Sequence, residues 1–221
     1  MSVTELCKRI AAAEEFVVDK ESLLGLDKVA IGSASDYKTV AESLVYAYWG
    51  LPKREQQEEW IEIVLEQIGQ REDGWVFIKA WLASIREKWS KIGIRREKKF
   101  ELLVKQVVAW SCKQYTIDLE EWVVRGPGSK YDVAAMGTVL ASKSVLNDKE
   151  VVYLVNYFIA QGDTYFREFF RAKVLPVLKK QGIDQTVAEL AYEAGNNPKA
   201  SLRMRELLHK VYLCGRESGK D

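Results

Sequence analysis

The densest chemistry in this sequence is cationic. The segment REKWSKIGIRREKKF, Arg86 to Phe100, holds seven basic and two acidic residues up to Lys99, a local balance of +5. The run straddles Gly93, where one apolar stripe ends and another begins. A corner between two helices can present several guanidinium and ammonium groups to phosphates at once, and such contacts dominate the affinity of nucleic-acid binding. Lys88, Lys91, Arg95, Arg96, Lys98 and Lys99 are therefore the candidate RNA- or partner-binding residues. Neighbouring helical positions are rotated by about 100 degrees, so Arg95 and Lys99 are expected to share a face while Arg96 points elsewhere. The competing reading is a solvated charge run that faces the acidic stretch Glu55 to Asp73, where seven acids and one base give a balance of −6.

Other chemistry is sparse. The single histidine, His209, sits inside an apolar pattern with no cysteine or carboxylate at metal or triad spacing, which fits a packed or surface histidine. Glu58, Glu59 and Glu62 bring carboxylates close on a helix, but carboxylates at helical spacing ordinarily mark a solvated face. GPGSK, Gly126 to Lys130, has neither a preceding strand nor the full glycine-lysine spacing of a phosphate-binding loop, and it reads as plain loop. Phe77, Trp81 and Trp89 offer stacking surfaces on paper, but an aromatic stripe at four-residue spacing is expected to pack in a core. Cys7, Cys112 and Cys214 are far apart and form no zinc spacing, so a reducing compartment is expected. No catalytic residue, metal or cofactor is assigned, and the chain is expected not to be an enzyme.

These residues need a body to position them. The 221 residues are 48% hydrophobic and 29% charged, within the range of folded proteins. A chain of this length buries roughly 70–75% of its unfolded surface and needs no disulfide or metal to hold a core. The first ten residues, MSVTELCKRI, lack an apolar signal core. No run of about 18 apolar residues occurs either, so neither secretion nor a membrane partner is expected.

Helical periodicity runs through the chain. Asp36 is expected to cap a helix bearing Val40, Leu44, Val45 and Tyr48, ended by Gly50. Pro52 suits the first turn of the next, whose apolar face is Trp60, Ile61, Val64, Leu65 and Ile68. Phe77, Trp81, Ile85 and Trp89 form a further stripe, and Phe100, Leu103, Val104 and Val107 another. Beyond the loop RGPGSKYD, Arg125 to Asp132, Asn147 and Asp148 are candidate caps for the helix of Val151, Leu154, Val155 and Phe158. A helix from Asp163 carries Phe166, Phe169, Phe170 and Val174, with Pro176 expected to kink or weaken its last turn. After the turn Asn196 to Pro198, Leu202, Leu207, Leu208 and Val211 make the last face. No alternation with a hairpin signal appears. The expected fold is all-α, a single domain over residues 1–221 built as an antiparallel helical array of HEAT-like type. Trp49 and Trp89, 40 positions apart, approximate such a repeat length.

The order of Trp49, Lys53, Gln57-Glu58-Glu59, Phe77-Ile78-Lys79-Ala80-Trp81, Arg86 to Trp89, then Ile92, Arg96, Lys99-Phe100, Leu102 and Leu103 resembles the ribosomal RNA processing protein 1 family. The resemblance spans Leu44 to Val108, and its most specific part is Trp89 followed by Ile92, Arg96, Lys99 and an aromatic. Gly93 and Lys98 stand where that family has aspartates, and Leu51-Pro52 replaces a Ser-Asp. The resemblance implies a nucleolar, non-enzymatic assembly factor of the large-subunit pre-ribosome. Its implied partners are Brix-domain and WD-repeat assembly factors and precursor rRNA. The alternative from composition alone is a helical adaptor unrelated to ribosomes. A helical enzyme with a shallow carboxylate site is a third class.

Overall fold

Apolar residues at helical spacing dictate helices that bury one face each, and the computed structural model is all-α, with no strand among its described residues. It describes residues 1–12, 20–116, 119, 130–143, 145–161 and 164–218. The chain divides into two compact units, Met1–Thr116 and Ile117–Asp221.

The first unit comprises α1 (Val3–Ala12), α2 (Lys20–Leu23), α3 (Ala34–Gly50), α4 (Arg54–Gly69), α5 (Gly74–Lys88), a 3₁₀ turn (Trp89–Lys91) and α6 (Ile94–Gln114). α3 packs between α1 and α5, and α4 packs on α5 and α6. All four stripes expected from the sequence are core: Val40, Leu44, Tyr48, Trp60, Val64, Phe77, Trp81, Ile85, Phe100, Leu103 and Val107 are buried. The Trp60 and Trp81 rings meet edge to face at 5.9 Å, and Tyr48 meets Phe100 at 5.4 Å. Such pairs add about 0.5–1.5 kcal/mol beyond the area they bury. Gly74 opens α5 where nothing larger fits, since a Cβ there would lie 2.8 Å from the Ile68 carbonyl oxygen and 2.7 Å from Tyr115 Oη.

Two helix starts differ from the expected ones. Ser33, not Asp36, caps α3: its Oγ accepts from the Asp36 N–H at 3.2 Å. Asp36 instead folds back from the first turn, with Oδ2 accepting from Ser33 Oγ and the Gly32 N–H. A serine followed three residues later by an acid satisfies donors reciprocally, and either residue alone satisfies the sequence pattern of a cap. Pro52 lies just outside α4, whose cap is Lys53.

The second unit comprises α7 (Lys130–Ser142), α8 (Asp148–Gln161), α9 (Thr164–Phe169), a π turn (Phe170–Val174), α10 (Leu175–Gln181), α11 (Gln185–Gly195) and α12 (Leu202–Ser218). Lys130, Tyr131 and Asp132, expected as loop, are helical; Arg125 to Ser129 and Asp163 lie outside the described residues. Asn147 caps α8 and Glu150 reciprocates, with N–H to side-chain oxygen distances of 2.9 and 3.1 Å. Pro176 does not weaken the last turn, because α10 runs on to Gln181. The missing N–H and the ring clash are absorbed on the N-terminal side, where the helix widens to the π turn at Phe170–Val174. Phe158 stacks on Phe170 at 4.2 Å, and Phe166 lies against Tyr157 at 4.8 Å. α11 and α12 approach so closely that a Cβ on Gly215 would sit 2.6 Å from the Ala188 Cβ.

Candidate nucleic-acid interface

The α5–α6 corner is fixed by two apolar anchors. Trp89 and Ile92 are buried, and they pull the 3₁₀ turn down so that Lys91, Gly93, Ile94, Arg95 and Arg96 stand outward. Gly93 is the residue before α6 and supplies no side-chain cap. The N-cap position of α6 thus offers no side-chain acceptor to the first N–H groups, and Glu97 is the acid of that first turn.

The six candidate cations separate into two kinds. Lys88 turns inward, its Nζ donating to Glu42 Oε1 at 3.0 Å and lying 5.2 Å from the Tyr46 ring centre. The hydrogen bond to Glu42 raises its pKa. Lys99 is half-buried and closes the C-terminal end of α3, donating to the carbonyls of Trp49 at 3.0 Å and of Leu51. Burial, reinforced by the nearby Arg96, lowers its pKa to about 8. Arg96 is exposed and lies 5.4 Å from the Trp49 ring centre. Lys99 is thus drawn to the end of α3, where Arg96 also lies, while Arg95 is exposed. Lys91, Arg95 and Lys98 are exposed and have no ion-pair partner among the described residues.

A groove of about 370 Å³ continues from the corner, lined by Arg54, Gln57, Lys98, Lys99, Glu101 and Lys105 among others. Arg54 pairs with Glu58 at 2.8 Å and Lys105 with Glu101 at 2.6 Å, both near the surface. Sequence reasoning did not include Arg54 and Lys105. Lys98 and Lys105 are two turns apart on α6, a spacing that was visible, but Arg54 joins them only through the packing of α4 on α6. The acids of α4 do not neutralise the corner: Glu58 serves Arg54, and Glu59 pairs with Lys20 at 2.8 Å.

The remaining candidates are accounted for by packing. Phe77 and Trp81 are fully buried and Trp89 is 9% exposed, as the core reading requires. His209 is exposed beside Tyr212. Arg71, whose side chain is 6% exposed, forks onto Asp73 at 2.6 and 2.8 Å and donates to the carbonyls of Leu26 and Val29. The Arg71 hydrogen bond lowers the Asp73 pKa, and Tyr37 donates to the same carboxylate. The cluster ties the segment before α3 to the start of α5, with its donors used internally. No group of three metal-ligating side chains occurs among the described residues, and none of their helices is long and apolar enough to cross a membrane. Compared with family models and with curated proteins, the sequence matches none.

Proposed function

We propose that this protein is a non-catalytic assembly factor of the large ribosomal subunit precursor, binding precursor RNA through the α5–α6 corner and protein assembly factors through its helical body. The observation that carries the reading is the outward, unpaired set Lys91, Arg95 and Lys98, continuous with the groove of Arg54 and Lys105. Exposed cations without an ion-pair partner are available to phosphates. The ordered resemblance over Leu44 to Val108 supplies the ribosomal context, a nucleolar location, and Brix-domain and WD-repeat proteins as the partner class.

Precursor RNA binding is measured across a salt series with Lys91, Arg95 and Lys98 changed to Glu. Lys99 is left intact because it closes α3. The variant is expected to stay helical, bind more weakly and lose about 0.7 from the log–log salt slope per phosphate contact removed. An unchanged affinity and slope would assign the corner to solvent and favour an adaptor that docks through proteins alone.

A further inference from the structure

The exposed aromatic surface beside the corner lies on α3, away from the stripe that sequence reasoning weighed for stacking. Tyr46 is 62% exposed, unusual for so large an apolar ring, with the Lys88 ammonium 5.2 Å from its centre. One turn on, Trp49 is part-exposed and carries the Arg96 guanidinium 5.4 Å from its ring centre, while its edge rests on Phe100 at 5.3 Å. Residues three apart on a helix share a face and are about 4.5 Å apart along its axis. Tyr46 and the Trp49–Arg96 pair therefore form a short strip of planar groups running along the basic corner. Glu42, four residues before Tyr46 on α3, pairs with Lys88 at 3.0 Å.

We propose that this strip stacks unpaired bases, making the corner a site for single-stranded rather than double-helical RNA. The inference rests on the RNA-binding reading above and specifies which form of RNA the site takes. Phosphates would meet Lys91, Arg95 and Lys98, while one base lies on Tyr46 and a second on the outward plane of Arg96, itself braced by Trp49. Planar aromatic and guanidinium groups next to a cationic track are the chemistry by which unstacked bases are held, and a duplex keeps its base faces covered. Lys88 and Arg96 would act here by holding and extending the planes, Lys88 by fixing the Tyr46 ring and Arg96 by offering its own.

The test uses fluorescence anisotropy with three probes: a mixed-sequence oligoribonucleotide, the same strand annealed into a duplex, and a strand of equal length lacking bases. Tyr46→Ala is expected to weaken binding of the single strand roughly five- to hundredfold and leave the baseless strand unaffected. Its salt slope stays that of the wild type, and Tyr46→Phe and Tyr46→Trp retain affinity. Tyr46→Gln replaces the alanine variant should that one lose helical circular dichroism. Equal affinity of wild type and Tyr46→Ala for the single strand, equal weakening on the baseless strand, or a duplex bound as tightly as the single strand overturns the stacking proposal. Loss of binding in the Lys91, Arg95 and Lys98 variant with no effect of Tyr46→Ala overturns it alone, leaving the RNA reading standing. No binding of any probe by the wild type overturns both.

Discussion

Lys99 and Trp81 are residues of types that surface chemistry could use, and the fold uses both. Lys99 lies amid a cationic run, yet its ammonium is spent on the last carbonyls of α3. Its pKa falls from 10.5 to about 8 because burial disfavours the charged form. The folded state then holds that proton less tightly than the unfolded state. Below about pH 8 both states carry it and the burial cost opposes folding in full; as pH climbs toward 10.5 only the unfolded state retains it, and stability rises. Denaturation of wild type and Lys99→Met at the two ends of that window should therefore show wild type gaining relative to the variant. A constant difference between them would show that the ammonium carries no burial cost. Trp81 is fully enclosed and meets Trp60 edge to face, so Trp81→Ala should cost about 3–5 kcal/mol in urea denaturation. A change under about 0.5 kcal/mol, the range of surface substitutions, would remove it from the core.

At the scale of elements, the start of α6 separates folding from binding. Gly93 precedes the helix with φ −64° and ψ 150°, has no side-chain cap, and a Cβ there meets nothing within 4 Å. Gly93→Asp introduces the aspartate that the proposed family reading implies at this place. It should stabilise the fold by a few tenths of a kcal/mol through capping, and weaken RNA binding by setting a carboxylate among the cations. Thermal melts and anisotropy on one preparation check both signs; tighter binding by the variant would exclude phosphates from the corner. The helices α4, α5 and α6 were legible because each buries an uninterrupted stripe such as Phe77, Trp81, Ile85 and Trp89, which has no competing period. Less was legible where two residues satisfy one rule, as Ser33 and Asp36 do at the start of α3. Pro176 announced a distortion but not its side, since the π turn at Phe170–Val174 depends on how the Phe158, Phe166 and Phe170 cluster packs. In the site, the cations were visible as a run. Their division was not, because the inward turn of Lys88 and Lys99 depends on Glu42 and the end of α3, about fifty positions earlier in sequence.

Across the whole molecule, a net charge of +1 conceals a strong segregation. α4 carries Glu55, Glu58, Glu59, Glu62 and Glu66, while the α5–α6 corner carries unpaired cations. Separated charge of this kind would orient a polyanion, repelled along α4 and drawn to the corner, so under the proposed reading RNA would approach in one attitude, and the effect fades with salt over about 10 Å. A modest cation count also limits indiscriminate binding to polyanions. If the body acts on large-subunit precursors, depletion should make large-subunit rRNA precursors accumulate while small-subunit rRNA continues to mature, as followed by pulse labelling. Re-expression of wild type should restore maturation. The Lys91, Arg95 and Lys98 variant should restore it less well, because it enters the particle through its protein contacts yet holds the RNA poorly. Equal loss of both subunits would argue against a large-subunit role, and unchanged precursors would argue for an adaptor outside ribosome assembly. Full rescue by the charge-reversed variant would leave the assembly role intact and assign the docking to the helical body.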